Sequence, residues 1–186
     1  VLQQESDQSK NFFIPSIYFN SVDVMKAFDS VTYEILYSKL ENAGIRGIVL
    51  DWFKSYFEGR MQKVFLNNVY SDNQCRIILG VLQGSILGVI LFLIMINDIQ
   101  NSCPDLFCVI FADDDTSLTA DITLEGLIEK ANIGLDKLVN WYSSNKLAIH
   151  PGKSRCMLFH NSNRNNNNVI TNNEVFLPIF INLNNI

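Results

Sequence analysis

The sequence predicts an α+β fold, with a small antiparallel sheet packed on helices. Short runs of β-branched and aromatic residues alternate with stretches in which apolar residues recur every three or four positions. Strands and helices interspersed on this scale are typical of an α+β domain. Apolar residues make up 48% of the chain and charged residues 18%, which is the composition of a globular protein.

The first half of the chain contains two predicted helices between extended segments. "FFIPSIYFNSVDV" predicts an extended segment in which Pro15 restricts the strand to a sheet edge or to a strand start. "SVTYEILYSKLENAG" predicts a helix that stops at Gly44, and "IVLDWFKSYFEG" predicts a second helix that ends at Gly59. "KVFLNNVYSDNQCRII" predicts two strands joined by a turn at Asn67 and Asn68.

The second half contains the strongest helical signal. An apolar helix is predicted over 86–99, and "LFCVIFADDDTSLTA" predicts a strand, an acidic turn and a second strand. "LAIHPGKSRCMLF" predicts two short strands around Pro151 and Gly152. "TLEGLIEKANIGLDKLVNWYSSN" predicts an amphipathic helix. Its apolar face consists of Leu124, Leu127, Ile128, Ala131, Leu135, Leu138 and Tyr142.

Charge and cysteine usage exclude some functional classes. The chain has 14 Lys and Arg against 19 Asp and Glu, a net charge of −5, which argues against autonomous nucleic-acid binding because such binders carry a basic face. The four cysteines form no C-x-x-C pair, so buried reduced thiols are favoured over a zinc site. With no secretory leader pattern, these features favour a reducing intracellular compartment.

The apolar run "IILGVLQGSILGVILFLIMI" (77–96) allows two interpretations. Twenty residues without a charge match the length of a membrane span, which would make the chain a single-pass membrane protein. Three glycines, Gln83 and Ser85 weaken insertion of the first half into a bilayer. The alternative is a buried strand end, a glycine turn and a core helix.

The acidic turn in "FADDDTSL" (111–118) is the segment with the clearest chemistry. Burying an unpaired carboxylate costs several kcal/mol, and adjacent carboxylates repel one another. A hairpin tip between apolar strands would bring such carboxylates together at a cleft, and clustered carboxylate oxygens suit Mg²⁺. Two such ions would stabilise the attacking and leaving oxygens of a phosphoryl transfer. A solvated acidic turn without a cation is the alternative.

Four segments of the chain carry a resemblance to a known family of enzymes. They are "SVDVMKAFDSVTYEILYSKLENAGIRGIVLDWFKSYFEGR", "GVLQGSILGVILFLIMINDI", "FADD" and "WYSSNKLAIHPGKSRCMLF". Their order and spacing resemble the palm of reverse transcriptases from non-LTR, LINE-type retrotransposons, most closely the jockey-like elements. Group II intron-type and telomerase-type polymerases would share the aspartates, but the last segment favours the LINE type. The resemblance also implies that the apolar run is a buried helix.

The resemblance assigns catalytic and metal-binding roles to three aspartates. Asp23 matches the first metal-binding aspartate of the family, and Asp113 and Asp114 match the pair on the catalytic turn. Together they would hold two Mg²⁺ ions, for which Mn²⁺ can substitute. These ions would activate the primer 3′-hydroxyl and neutralise the leaving pyrophosphate.

Four further residues match nucleotide-binding positions of the family. Phe28 matches the bulky side chain under the incoming sugar, where it would exclude a 2′-hydroxyl, although a core aromatic is the alternative. Gln83 and Gly84 match residues that face the incoming nucleotide and the template strand. Lys153 matches a lysine near the triphosphate, with a solvated surface lysine as the alternative.

The chain departs from the family pattern at several positions. Leu82 and Val89 stand where the family usually has proline, and "VTYE" replaces a more typical "VDHE". Asp115 is either a substitution after "FADD" or a one-residue insertion before "TSL". An insertion would shift the register of the next strand, and every side chain in that strand would change face.

These observations predict a reverse transcriptase palm over residues 17–160, preceded by an unassigned segment 1–16 and followed by an asparagine-rich, low-complexity tail over 161–186. The fingers are expected to be incomplete and the thumb absent, so the chain is expected to be part of a longer polyprotein. The expected activity is RNA-directed DNA polymerisation with an RNA template, a DNA primer and deoxynucleoside triphosphates. The alternative is a palm relic without activity. A cytoplasmic or nuclear location is expected, with no membrane partner.

Overall fold

The computed structural model describes residues 16–159 and 175–177 and confirms the α+β fold class. The helices are α1 (Tyr33–Asn42), α2 (Ile48–Phe57), α3 (Ile86–Ile96), α4 (Ile99–Ser102) and α5 (Leu124–Ser144). The strands are β1 (Ser16–Asp23), β2 (Met61–Gln62), β3 (Phe65–Leu66), β4 (Val69–Tyr70), β5 (Cys75–Arg76), β6 (Phe107–Phe111), β7 (Asp114–Asp121), β8 (Arg155–Phe159) and β9 (Val175–Leu177).

A five-stranded antiparallel sheet forms the centre of the protein. Its strand order is β6-β7-β1-β8-β9. The strand β1 pairs with β7 over its whole length, from Ser16 opposite Asp121 to Asp23 opposite Asp114. On its other side β1 pairs with β8, where Ile17 lies opposite Phe159. Because side chains alternate between faces along a strand, this register decides which residues of β1 and β7 face the helices.

The helices cover one face of the sheet, and the other face is more open. The buried core includes Val22 from β1, Phe92 from α3 and Leu138 from α5. On the open face, β6 exposes three large apolar side chains, Phe107, Val109 and Phe111. Since β6 lies at the end of the strand order, it has a neighbouring strand on one side only among the described residues.

Local sequence signals explain where the two main helices begin. Ser85 precedes α3 and accepts a hydrogen bond from the Gly88 amide, and Thr123 precedes α5 and accepts one from the Gly126 amide. Such side-chain caps satisfy amides that lack a partner within the helix. The 21 residues of α5 bury the predicted apolar stripe in part, with Leu127, Ala131, Leu138 and Tyr142 fully covered.

A two-stranded ribbon extends from the helical part of the chain. The turn between β3 and β4 is formed by Asn67 and Asn68, both with positive φ, as the sequence predicted. Asparagine tolerates this conformation, and two such residues in succession match the twist of a hairpin. The strands β2 and β5 continue the ribbon, and all four of these short strands are exposed.

Some elements differ from the predicted ones. The apolar helix ends at Ile96 rather than at residue 99, and a separate short helix, α4, follows. Of the two strands expected around Pro151 and Gly152, the first is reduced to a single bridge between Val24 and Ile149. Pro15 lies outside the described residues. In the predicted asparagine-rich tail, the backbone of β9 pairs with β8.

The apolar run 77–96 forms a loop followed by the eleven-residue helix α3. A membrane span needs about 20 residues. In residues 16–159 and 175–177 no helix is long and apolar enough to cross a membrane.

Candidate active site at the open end of the sheet

A tight turn joins β6 to β7 and carries Ala112 and Asp113. Phe111 and Asp114 pair directly across the hairpin, so two residues form the turn. Ala112 has a φ of 55°, a left-handed conformation that costs a residue with a Cβ about 1 kcal/mol or more. Asp113 and Asp114 are both exposed. The turn therefore presents two adjacent carboxylates to solvent at the end of the sheet.

Asp23, at the end of β1, lies beside this turn. Its partner in the register is Asp114, and residues directly opposite each other in an antiparallel pair have their side chains on the same face. The preceding residue, Val22, is buried, so alternation places Asp23 on the open face. The fold thus brings together the three aspartates that the sequence predicted as ligands.

The segment 150–154 holds the backbone of Asp23 on its other side. The His150 amide donates to the Asp23 carbonyl at 2.8 Å, and the Asp23 amide donates to the Ser154 hydroxyl at 3.2 Å. Lys153 belongs to this segment, and its Nζ lies 3.7 Å from Asp23 Oδ2. Because both side chains are partly exposed, this ion pair contributes about 1 kcal/mol or less. The position of Lys153 therefore brings a cation to the Asp23 carboxylate.

The donor set suits a divalent cation in kind and in backbone position. Carboxylate oxygens are the ligands that Mg²⁺ prefers, and cross-strand neighbours lie about 5 Å apart at Cα. Nevertheless, the side chains are not gathered: within the described ranges no group of three His, Cys, Asp or Glu side chains could hold a metal ion. Asp113 and Asp114 are exposed, and exposed side chains change rotamer on the ps–ns timescale.

Asp115 is separated from the other carboxylates by the alternation of β7. It is 2% exposed and lies on the helix-covered face, opposite Val22 and Ile110 in the two neighbouring strands. The Tyr142 hydroxyl of α5 donates to its Oδ2 at 3.2 Å, whereas Oδ1 has no hydrogen-bond partner among the described residues. Asp115 therefore adds no ligand to the exposed turn.

Burial perturbs the ionisation of this buried group and its neighbours. Desolvation raises the pKa of Asp115 to about 6, and the hydrogen bond from Tyr142 opposes the rise. Burial and the nearby Asp115 carboxylate raise the pKa of Cys103 to about 11 and that of Cys108 to about 12. Both thiols are therefore protonated at neutral pH. Of the four cysteines predicted to be buried, Cys103 and Cys156 are buried, whereas Cys108 is half-buried and Cys75 is exposed.

Phe28 is half-buried in the segment that follows β1. Its ring packs against Phe92 of α3, with ring centroids 4.9 Å apart. The main-chain carbonyl of Phe28 accepts a hydrogen bond from the Val81 amide at 2.7 Å. Phe28 therefore packs against the core, as its alternative interpretation expected, while the residue stays partly exposed.

Gln83 and Gly84 are exposed on a loop whose base is bound to the segment after β1. The Gly80 amide donates to the Val31 carbonyl at 2.8 Å, next to the bond between Val81 and Phe28. A Cβ on Gly80 would lie 2.9 Å from the Asp29 carbonyl oxygen, so the two backbones touch. This close approach places the Gln83 loop beside Phe28.

Sequence reasoning missed the residues that hold this loop. The Tyr33 hydroxyl donates to the Gly80 carbonyl at 3.1 Å, and the Tyr33 ring stacks on Phe57 of α2. In the sequence, Tyr33 is the third residue of "VTYE", which indicates only a departure from the family pattern. Gly80 permits a close approach of two backbones, but no local sequence pattern indicates which segment it approaches.

A comparison with known protein families gives one match that covers most of the chain. Residues 11–175 match the family described as "Reverse transcriptase (RNA-dependent DNA polymerase)". The chain belongs to the reverse transcriptase family. No curated protein sequence matches it.

Two solved structures of telomerase from Candida tropicalis share the fold of this reverse transcriptase domain. One is a complex with a TWJ fragment of telomeric RNA, with a TM-score of 0.58 and 14% sequence identity. The match covers 81% of this chain and 27% of that telomerase chain. The other is an apo telomerase truncated from its C-terminal domain, with a TM-score of 0.59 and 15% sequence identity. The match covers 83% of this chain and 33% of that telomerase chain. The chain spans a third or less of these telomerase chains.

The raised pKa of Asp115 predicts a pH dependence of folding stability. Between about pH 4 and pH 6 the folded state binds more protons than the unfolded state, so the free energy of unfolding falls as pH rises through this window. A shift of about two units corresponds to about 3 kcal/mol. Urea unfolding in EDTA at a series of pH values measures the fall. Asp115→Asn should remove it, whereas the exposed-site variant Asp113→Asn should keep it; parallel curves for wild type and Asp115→Asn would contradict the prediction.

The contact beneath the Gln83 loop predicts unequal effects of two glycine substitutions. Gly80 and Gly84 have similar positive φ values, 90° and 85°, but a Cβ at Gly84 would meet nothing within 4 Å. Gly84→Ala should therefore cost about 1 kcal/mol of backbone strain, and Gly80→Ala about 2–4 kcal/mol because a backbone clash is added. Urea midpoints measure both losses. Equal losses would show that the two backbones separate without cost.

Proposed function

We propose that this chain is the palm region of an RNA-directed DNA polymerase from a non-LTR, LINE-type retrotransposon of the jockey-like group. The observation that carries the proposal is the pairing of Asp23 with Asp114 beside the turn residue Asp113, in a chain of the reverse transcriptase family. The LINE-type assignment is supported by the four sequence segments, since the likeness to telomerase concerns the fold alone. The palm would extend over residues 17–160, and its compartment would be cytoplasmic or nuclear.

Asp23, Asp113 and Asp114 would hold two Mg²⁺ ions, with Mn²⁺ as a substitute. When bound, such ions lower the pKa of the attacking hydroxyl and offset charge on the leaving group. The protein contributes the backbone positions of the carboxylates through the β1–β7 and β6–β7 registers. Lys153, at 3.7 Å from Asp23, would offset part of the negative charge while the site is empty and would turn to the triphosphate in the complex.

The substrate side of the site would be formed by the paired segments around Phe28 and Gln83. The accessible part of the Phe28 ring would lie under the incoming sugar and exclude a 2′-hydroxyl. Gln83 and Gly84, exposed on the neighbouring loop, would face the nucleotide and the template strand. The partners would be an RNA template, a DNA primer and deoxynucleoside triphosphates.

A palm relic without activity is the second candidate. It is favoured by Asp115, a buried carboxylate directly behind the proposed catalytic turn, one oxygen of which has no hydrogen-bond partner among the described residues. Leaving a buried acceptor without a partner costs about 1–3 kcal/mol. A hairpin weakened in this way would hold Asp113 and Asp114 less firmly.

Substitutions of the three adjacent aspartates should have different effects on metal affinity. Asp113→Asn and Asp114→Asn should each reduce the affinity for Mn²⁺ by about tenfold or more, because each removes a charged ligand. Asp115→Asn should leave the affinity nearly unchanged, since this side chain lies on the opposite face. Isothermal titration with Mn²⁺ measures all four proteins. Equal losses in the three variants would contradict the assignment of the pair.

Primer extension tests the proposed activity directly. The purified chain and Asp114→Asn would be incubated with an RNA template, a DNA primer, deoxynucleotides and Mn²⁺. Extension by the wild type that falls by about 10³-fold in the variant is expected for a lost metal ligand. Extension by neither protein would favour the relic, provided that circular dichroism shows both to be folded.

A further inference from the structure

The strand β7 has its polar and apolar faces reversed. The three residues that it turns toward the helices are Asp115, Ser117 and Thr119, and all three are buried. The residues that alternate with them after Asp114 are Thr116, Leu118 and Ala120, and they lie on the open face, so two apolar side chains are turned outward there. A strand with one covered face normally turns its apolar residues inward, so this arrangement is the opposite of the expected one.

The surroundings of the inward face are suited to apolar side chains. Asp115 lies between Val22 and Ile110, and Thr119 is the register partner of Tyr18. The side-chain amide nitrogen of Asn20 donates a long hydrogen bond of 3.4 Å to the Ser117 hydroxyl. The other polar atom of that amide, Asn20 Oδ1, has no partner among the described residues, and neither does Asp115 Oδ1. The inward face of β7 thus leaves two buried oxygens, Asn20 Oδ1 and Asp115 Oδ1, without a partner in the described part of the chain.

The register itself is regular at this point. Pairing on both sides of β7 continues residue by residue from Asp114 to Leu118, so Asp115 occupies an ordinary strand position and is not accommodated in a bulge. The reversal therefore begins at the first residue after the pair Asp113–Asp114. A single extra residue at this place is sufficient to produce it, because the side-chain period of a strand is two.

We infer that Asp115 is an inserted residue that inverts β7, and that without it Thr116, Leu118 and Ala120 face the helices. In that arrangement Thr116 takes the place between Val22 and Ile110, where its hydroxyl can pair with Tyr142. Ser117, Thr119 and Asp121 then lie on the open face. Leu118 and Ala120 would then be covered by the helices, at the cost of the contact between Asn20 and Ser117.

The deletion has one geometric difficulty, which defines a second variant. Only Ile122 and Thr123 connect β7 to α5, and the connection includes the cap in which Asp121 Oδ1 accepts from the Thr123 amide at 3.0 Å. Removing a residue shortens this connection. We would therefore prepare the deletion of Asp115 alone and the same deletion with a glycine inserted between Asp121 and Ile122. Asp115→Thr, which removes the carboxylate without changing the register, is the matched control.

Thiol labelling reports the face of each residue. Ser117→Cys or Leu118→Cys would be introduced into the wild type and into both deletion variants, and peptide-resolved mass spectrometry would distinguish the new thiol from the native ones. In the wild-type register the thiol at 117 should react about tenfold more slowly than the thiol at 118, because position 117 is 1% exposed. In the deletion variant that retains the connection length, this order should be reversed.

Urea unfolding gives the second readout. The better of the two deletion variants should have a higher urea midpoint than Asp115→Thr, since the control removes the buried charge but leaves Leu118 and Ala120 outside. An unchanged labelling order in the deletion variants would overturn the inference. So would a midpoint at or below that of Asp115→Thr, or failure of both deletion variants to fold when Asp115→Thr folds.

Discussion

The candidate active site depends on the pairing of β1 with β7. Its last register pair joins Asp23 to Asp114, and its hydrogen bonds fix the turn that carries Asp113. Asp23 is distant in sequence from the adjacent pair Asp113 and Asp114, so no local interaction could bring it to them. Their mutual repulsion opposes the approach, and the energy that overcomes it comes from the buried half of the same strands and from the helices behind them. A disturbance in the interior face of β7 would therefore be transmitted to the turn at Ala112 and Asp113 by a single strand.

The second half of the site is held by backbone contacts rather than by side chains. The carbonyls of the segment after β1 accept main-chain hydrogen bonds from the loop that precedes α3. Gly80 permits this close approach of the two backbones. Main-chain bonds place few demands on residue identity, which is consistent with the replacement of a usual proline by Leu82. Tyr33 adds a side-chain hydrogen bond to the same loop from the first turn of α1. The two halves meet at β1, which contributes to both.

The sequence allowed prediction of those parts of the structure that follow from local periodicity and turn chemistry. The helix α5, the end of α1 before Gly44 and the Asn67–Asn68 hairpin belong to this group, because spacing, a positive φ or a cap is encoded within a few residues. The proximity of Asp23 to Asp113 and Asp114 along the backbone was expected from the resemblance, whereas their role as metal ligands remains a prediction. The face of Asp115 could not be predicted, since it depends on the register with two other strands. The contact between Gly80 and Asp29 could not be predicted either, because a glycine signals a close approach without indicating its partner.

The position of β6 at the rim of the sheet has a consequence for the handling of the protein. Its outer backbone groups have no strand beside them in the described part of the chain, and its side chains Phe107, Val109 and Phe111 project from the open face. The strand contains neither a charge nor a proline that would discourage pairing with another molecule. Such an edge is a template for intermolecular β-pairing. On this edge the Cys108 amide is already bound to Gln100 Oε1, and a partner that covers the rest would shield both the strand and the turn that follows it.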